Sequence, residues 1–143
     1  MRNLEDIAAV TIDVALRIHR ALGPGLLESV YETVLAGKLA ALGCRGARQM
    51  PVTIEFEGLR FADAFKIDLL IEDQLLVEIK SVEKLNPVHA KQLLTYLRLT
   101  KQPLGLLINF GDETLKEGLK RIVNDYQPFA PSRLRVNQIN RSE

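Results

Sequence analysis

The feature that most constrains the fold is a change in the spacing of apolar residues along the chain. Over residues 4–22 apolar side chains recur every three to four positions, which predicts an amphipathic helix. A Gly-Pro-Gly turn at residues 23–25 ends it, and a second helix is predicted over about residues 26–42. Its predicted inward-facing side chains are Leu27, Val30, Val34 and Leu35. From residue 51 apolar and polar residues alternate, which is typical of a half-buried strand.

The rest of the chain continues this mixed pattern. Two further strands are predicted over about residues 60–71 and 75–81, followed by a third helix that Asn86 and Pro87 begin. That helix is predicted to reach residue 100 and to bury Ala90, Leu93, Leu94 and Leu97. Residues 104–110 indicate a buried strand, whereas residues 115–124 fit either a helix or an edge strand. We expect one α/β domain over residues 1–125 and a loosely held tail over residues 126–143.

Composition excludes several classes of protein. Hydrophobic residues make up 47% and charged residues 26% of the 143 residues, which is typical of a folded globular domain. The single cysteine rules out a disulfide framework and a cysteine-based zinc site, and two histidines are too few for a histidine-rich one. The formal net charge of +1 predicts at most a local basic patch. No apolar run approaches the roughly 20 residues that span a bilayer, so we expect no membrane contact and a cytoplasmic location.

The predicted hairpin over residues 66–80 brings two acidic residues together. A three-residue loop at positions 72–74 pairs Ile71 with Leu75, and the same register pairs residue 69 with 77 and residue 67 with 79. In this register Ile67, Leu69 and Ile71 share one face of the hairpin. Asp68 then lies directly opposite Glu78, with their Cβ atoms roughly 4.5–5.5 Å apart. Like charges in this position are destabilising and call for a counter-ion.

Two interpretations of this acidic pair are open from the residues alone. A divalent cation would neutralise the pair, because hard cations bind carboxylate oxygens. Alternatively, the pair belongs to a solvated face of the sheet, which is the commoner situation for charges on a hairpin. Leu70 and Leu76 lie on the same face as the carboxylates, which predicts that this face is partly covered.

The same residues carry a family resemblance. Asp68 followed by Glu78-Ile79-Lys80 resembles the PD-(D/E)xK nuclease motif. Residues 25–31, GLLESVY, are similar to the pattern that names the GxxExxY proteins, a bacterial and archaeal group within that superfamily. Residues 92–96, QLLTY, resemble the QxxxY element of its RecB-like and exonuclease branches. The resemblance implies a restriction-endonuclease-like core, in which a central mixed β-sheet is flanked by helices.

The resemblance also implies an activity and a set of site residues. It implies a nuclease that hydrolyses phosphodiester bonds in nucleic acid with Mg²⁺ or Mn²⁺, with DNA favoured over RNA. The implied metal ligands are the carboxylates of Asp68 and Glu78 and the backbone carbonyl of Ile79. The implied catalytic residues are Lys80, beside the attacking water, with Glu28, Gln92 and Tyr96. Tyr31 would support Glu28 or contact the substrate, and Lys66, which stands where the family has arginine, would bind substrate.

Alternatives to these roles follow from the residues themselves. Glu28 in the first turn of a helix interacts favourably with the helix dipole, without any part in catalysis. Gln92 and Tyr96 are four positions apart and share one helix face, which is equally typical of a solvated helix edge. The whole chain would then be a non-catalytic nucleic-acid-binding or accessory domain on a nuclease fold. A homodimer is compatible with the short chain.

Overall fold

A computed structural model describes residues 2–125 as five strands and four helices. The elements are α1 (Leu4–Leu22), α2 (Glu28–Ala41), β1 (Gly46–Phe56), β2 (Leu59–Ile71), β3 (Leu75–Lys80), α3 (Pro87–Thr100), β4 (Leu104–Asn109), α4 (Leu115–Gly118) and β5 (Leu119–Val123). This order confirms the predicted succession of helices and strands. The segment over residues 115–124, which fitted either a helix or an edge strand, forms one helical turn followed by a strand. The predicted tail over residues 126–143 lies outside the described residues.

Helix boundaries follow from capping residues in the sequence. The side chain of Asn3 accepts a hydrogen bond from the backbone N–H of Asp6 and caps α1. Asn86 caps α3, and Pro87 occupies its first turn, as predicted. The second helix begins at Glu28, two residues later than expected. Leu27 therefore precedes the helix.

The sheet has the order β1-β2-β3-β4-β5. Only β3 and β4 run parallel, joined by α3 as the crossover, and every other neighbouring pair is antiparallel. A mixed sheet flanked by helices is the predicted restriction-endonuclease-like α/β class. Of the helices within residues 2–125, none is long and apolar enough to cross a membrane.

The β2–β3 hairpin has the predicted register near its turn but not at its far end. Ile71 pairs with Leu75 and Leu69 with Val77, and the pairing then stops. Ile67 packs with Leu70 in the cluster beneath α3, whereas Leu69 and Ile71 face the opposite side. The prediction that all three isoleucine and leucine side chains share one face is therefore wrong. Strand alternation fails at Asp68, where pairing is interrupted towards both neighbouring strands.

Two hydrophobic clusters hold the helices against the two faces of the sheet. The larger one joins α1 and α2 to the sheet. The smaller one lies beneath α3 and contains Leu70 and Leu76, so the face of β3 that carries Glu78 is partly covered, as predicted. In α3, Leu93 and Leu97 are buried, while Ala90 and Leu94 are only half-buried.

The inward face of α2 differs from the predicted one. Leu27 is 74% exposed and Val30 is 38% exposed, so the prediction that they face inward is wrong. Leu35 is fully buried, as predicted, and Tyr31 and Leu39 are fully buried with it. These three residues are spaced by four positions and form one stripe along the helix. The stripe starts at Tyr31, three positions after the helix begins, because residues 24–30 are exposed where the chain enters α2.

Asn109 fixes the chain that follows β3. Its buried side-chain oxygen accepts from the backbone N–H of Val82, at 2.9 Å, and its side-chain nitrogen donates to the Val82 carbonyl, at 2.8 Å. The backbone N–H of Phe110 also donates to the carbonyl of Lys80. These bonds hold the end of β3, where Lys80 lies.

Replacing this asparagine should destabilise the protein strongly. In Asn109→Ala both backbone groups of Val82 lose their partner, and each buried group left unpaired costs about 1–3 kcal/mol. Urea unfolding measures the change in the free energy of unfolding. Asn3→Ala, which removes an exposed helix cap, is the control and should cost about 1 kcal/mol. Equal losses in the two variants would contradict the structural role given to Asn109.

Candidate active site

Two carboxylates meet where the β2–β3 ladder ends. The side chain of Asp68 accepts a hydrogen bond from the backbone N–H of Ile79, with 2.8 Å between Oδ2 and the nitrogen. In return, the backbone N–H of Asp68 donates to Oε1 of Glu78, at 3.4 Å. Side chains thus take the place of the backbone partners that the separating strands would otherwise provide. The structure brings Asp68 and Glu78 together, as predicted, but the predicted pairing of the two residues in the ladder is absent, and hydrogen bonds between side chains and backbone join them instead.

Burial and mutual repulsion make this pair costly to ionise. Glu78 is only 6% exposed. Its burial, and after that the charge of Asp68, raises the pKa of Glu78 to about 8. Burial also raises the pKa of Asp68 above its usual value, against the lowering effect of its hydrogen bond from Ile79. A nearby positive charge would therefore stabilise the ionised form of the pair.

Positive charge from the protein provides only part of this stabilisation. Lys80 lies two positions after Glu78 on β3, and its charge lowers the pKa of both carboxyl groups. None of the ion pairs between side chains of residues 2–125 includes Asp68 or Glu78. The structure thus leaves the two carboxylates without a direct cationic partner in the part of the chain that it describes.

Glu28 approaches the pair from the first turn of α2. Its charge contributes to the raised pKa of Glu78, which places it within electrostatic range of that carboxylate. The side chain is exposed, and its position also lets it interact favourably with the dipole of α2. The geometry is compatible with both interpretations of Glu28.

Tyr96 approaches from α3, on the other side of the strand end. Its ring stacks on that of Phe65, with centroids 3.9 Å apart. Partial burial, and then the charges of Glu78 and Asp68, raise the pKa of its hydroxyl. Gln92 is exposed one turn earlier. Among the described contacts, neither carboxylate receives a hydrogen bond from Gln92 or Tyr96, and Tyr96 is linked to the pair by the electrostatic effect on its pKa.

Tyr31 is a core residue that fixes the turn before α2. It is fully buried and stacks on Phe110, with ring centroids 4.4 Å apart. Its hydroxyl donates to the Gly23 carbonyl, at 2.6 Å, and accepts from the backbone N–H of Leu26, at 3.2 Å. Burial leaves no surface for the predicted substrate contact. The alternative role, supporting the segment that leads into Glu28, agrees with these bonds.

The same turn is tied to the strand that carries Lys80. The hydroxyl of Ser81 donates to the carbonyl of Leu26, at 2.6 Å. Gly25 within the turn has a φ of 102°, a backbone conformation that glycine adopts without strain. Lys66, the other predicted substrate-binding residue, is exposed on β2 two positions before Asp68.

Two polar residues at this site were not predicted from the sequence. Nε2 of Gln49 lies 2.6 Å from Oε1 of Glu32 and 3.1 Å from Oδ1 of Asp68. Glu32 is 5% exposed and also pairs with Arg48. Glu32 lies four positions after Glu28 and so shares its face of α2, and this spacing could have indicated Glu32 from the sequence. Gln49 precedes the predicted start of β1 at residue 51, and no pattern marked it.

The carboxylate oxygens of Asp68 and Glu78 fit a hard cation, although they provide few ligands. Within residues 2–125, no three His, Cys, Asp or Glu side chains are grouped closely enough to hold a metal ion. Asp68 and Glu78 would thus share a cation with backbone carbonyl oxygen and water. Such oxygen ligands, with several positions left to water, are typical of Mg²⁺ sites.

Sequence comparison now identifies the family. A model for the PD-(D/E)XK nuclease superfamily matches residues 5–122. The chain belongs to this superfamily. The match spans every element from α1 to β5, apart from the first residue of α1 and the last residue of β5. It includes Asp68, Glu78 and Lys80 of this PD-(D/E)XK protein. A search of curated proteins gave no match.

The raised pKa of Glu78 predicts a pH dependence of stability in metal-free buffer. An unfolded glutamate titrates near pH 4.3, so between about pH 4.3 and 8 the folded chain holds a proton on Glu78 that the unfolded chain has released. This proton stabilises the folded chain fully below pH 4.3, and the stabilisation is lost as the pH rises through 8. Wild type should therefore lose stability relative to Glu78→Gln by up to about 1.4 kcal/mol per pH unit.

Chemical denaturation at several pH values measures this difference. Glu55→Gln removes an exposed carboxylate of β1 and serves as the control, which should run parallel to wild type. A wild-type curve that also runs parallel to that of Glu78→Gln would contradict the assignment of the raised pKa.

Proposed function

We propose that this protein is a divalent-metal-dependent nuclease that hydrolyses phosphodiester bonds in nucleic acid, with DNA as the favoured substrate. The observation that carries the proposal is the pair formed by the half-buried Asp68 and the buried Glu78. Each of their carboxylates accepts a backbone hydrogen bond from the other's strand, and Lys80 lies two positions after Glu78. The membership of a nuclease superfamily supports phosphodiester hydrolysis as the reaction of this site.

Asp68, Glu78 and the backbone carbonyl of Ile79 are the proposed ligands of Mg²⁺ or Mn²⁺. When bound, the ion would lower the pKa of a coordinated water and neutralise charge on the phosphate. The raised pKa of Glu78 is consistent with this assignment, because a nearby cation favours the ionised form that burial and the charge of Asp68 disfavour. The backbone N–H of Ile79 holds the Asp68 carboxylate in place.

The other residues surround this pair. Lys80 is proposed to orient the attacking water or to stabilise negative charge that develops on the phosphate. Glu28 would hold water from the side of α2. Tyr96, fixed by its stack on Phe65, and Gln92 would line the site from α3. Lys66 would contact a substrate phosphate from the exposed part of β2.

Finer assignments belong to the same proposal. We place the chain in the GxxExxY group, because residues 25–31 fit its pattern and the buried Tyr31 has a clear structural role within it. We propose one nuclease domain over residues 1–125, a cytoplasmic location and assembly as a homodimer. Gel filtration with light scattering tests the last of these.

Removing either carboxylate should abolish cleavage while the fold persists. Asp68→Asn and Glu78→Gln keep the size of each side chain but remove the negative charge that binds the cation. Titration of Mn²⁺ by calorimetry should show binding to wild type and not to the double variant. Cleavage of single- and double-stranded DNA should require the metal and stop when EDTA is added.

The Glu55→Gln variant is again the control, and it should bind Mn²⁺ and cleave like wild type. Mn²⁺ binding by wild type without cleavage of any substrate would contradict the nuclease proposal and indicate the accessory, non-catalytic role. Equal Mn²⁺ binding by wild type and the double variant would contradict the metal site.

Lys80→Ala should separate catalysis from metal binding. Lys80 is not a ligand, so the variant should bind Mn²⁺ about as tightly as wild type, while the cleavage rate falls by roughly 10²-fold or more. The matched control is Lys84→Ala, which removes an exposed lysine one loop further on. Wild-type turnover by Lys80→Ala would remove this residue from the mechanism.

A further inference from the structure

Gln49 occupies a distinctive position beside the candidate metal site. Its neighbours on β1 pair across to β2, Arg48 with Leu69 and Met50 with Ile67, but the pair between Gln49 and Asp68 is absent from the ladder. Asp68 thus lies in a row between Gln49 on β1 and Glu78 on β3, and regular pairing is interrupted on both sides of it.

The backbone of Gln49 is held in an unfavourable conformation. Its φ is 49°, in the left-handed region that side chains other than glycine rarely adopt. Such residues persist where their surroundings enforce them, and they cluster at functional sites. The residue here is glutamine, although glycine would adopt this backbone conformation without strain.

The side-chain amide of Gln49 bridges two carboxylates. Nε2 donates to Oε1 of Glu32, at 2.6 Å, and to Oδ1 of Asp68, at 3.1 Å. Both partners are acceptors and only the amide nitrogen can donate, so the chemistry of the neighbours fixes the orientation of the amide. Each of the two N–H groups satisfies one carboxylate.

Glu32 is itself firmly anchored. It is buried in α2, and its Oε2 lies 3.0 Å from Nε of Arg48. Arg48 also donates to the hydroxyl of Thr33, at 2.8 Å. The bridge therefore connects α2, through the carboxylate of Glu32, to Asp68 on β2. As a result both oxygens of Asp68 are held, Oδ1 by Gln49 and Oδ2 by the backbone N–H of Ile79.

We propose that Gln49 is a positioning residue that orients the Asp68 carboxylate for the cation, with Glu32 as its anchor. The proposal rests on the proposed metal-dependent function and names a residue that acts through Asp68. An oriented ligand loses less freedom when the cation binds, and outer partners of this kind typically change metal affinity by about 10–100-fold.

Gln49→Met tests the proposal, because methionine keeps the size of the side chain and removes its hydrogen bonds. Calorimetric titration should show Mn²⁺ binding about 10–100-fold more weakly than in wild type. Cleavage should need correspondingly more Mn²⁺ for half-maximal rate and recover at saturating Mn²⁺. Gln102→Met is the matched control, since Gln102 donates to a backbone carbonyl at the hairpin turn, remote from the carboxylates.

Gln49→Gly separates positioning from a purely structural role. Glycine relieves the left-handed backbone, so this variant should resist urea at least as well as Gln49→Met. It should nevertheless bind Mn²⁺ as weakly as Gln49→Met. A glycine variant with the Mn²⁺ affinity of wild type would overturn the proposal, since backbone geometry alone would then suffice.

A double-mutant cycle with Glu32→Met tests the anchor. If Glu32 acts through Gln49, the effect of Gln49→Met on Mn²⁺ affinity should shrink in the Glu32→Met background. Fully additive effects would overturn the role given to Glu32 and leave Gln49 to act alone.

A measurement without metal keeps the proposal separate from the nuclease function. Amide hydrogen exchange of Ile79 reports on the Asp68 carboxylate that accepts from it, and in Gln49→Met this exchange should become faster than in wild type or Gln102→Met. Unchanged exchange would overturn the positioning role. Absence of Mn²⁺ binding by wild type would instead overturn the proposed function, and the exchange result would still decide whether Gln49 orients Asp68.

Discussion

The candidate site depends on how the protein accommodates two neighbouring carboxylates, Asp68 and Glu78, at the end of the β2–β3 ladder. Asp68 and Glu78 lie close together despite their repulsion, because each accepts a hydrogen bond from a backbone N–H of the other's strand. This exchange is possible only where β2 and β3 stop pairing, since in a continuous ladder those N–H groups bond to carbonyls. The end of the hairpin ladder is thus the origin of the site. Burial of the site increases the cost of leaving the pair without a cation, and Lys80 and the hydrogen bonds to the carboxylates offset only part of it.

Three separate segments converge on this pair by specific contacts. Tyr31 and Ser81 fix the turn that precedes α2 and so determine where Glu28 lies. Phe65 holds Tyr96 by stacking, and Asn109 holds the chain after Lys80. The contacts are mostly between side chains and backbone, and they restrain residues that are themselves exposed. The candidate site thus combines exposed residues at its rim with buried residues that hold them in place.

Much of this arrangement was predictable because its causes are local in sequence. The period of apolar residues gave the elements, and the hairpin loop set the register that places Asp68 near Glu78. The errors have a different origin. The facing of Ile67 depends on an interruption of pairing between strands, and the exposure of Leu27 and Val30 depends on where the chain enters α2. Gln49 was missed because its partners lie 17 and 19 positions away along the chain, and only the assembled sheet brings them together.

The short distance along the chain between Asp68 and Glu78 has a consequence for the order of folding. Hairpin contacts close a small loop and form early, whereas the parallel pairing of β3 with β4 must wait for the whole crossover through α3. The two carboxylates therefore come together while water still surrounds them and screens their charges. Their repulsion becomes strong only when α3 docks and removes that water. We expect the late docking step, rather than formation of the hairpin, to be the part of folding that responds to protons and cations.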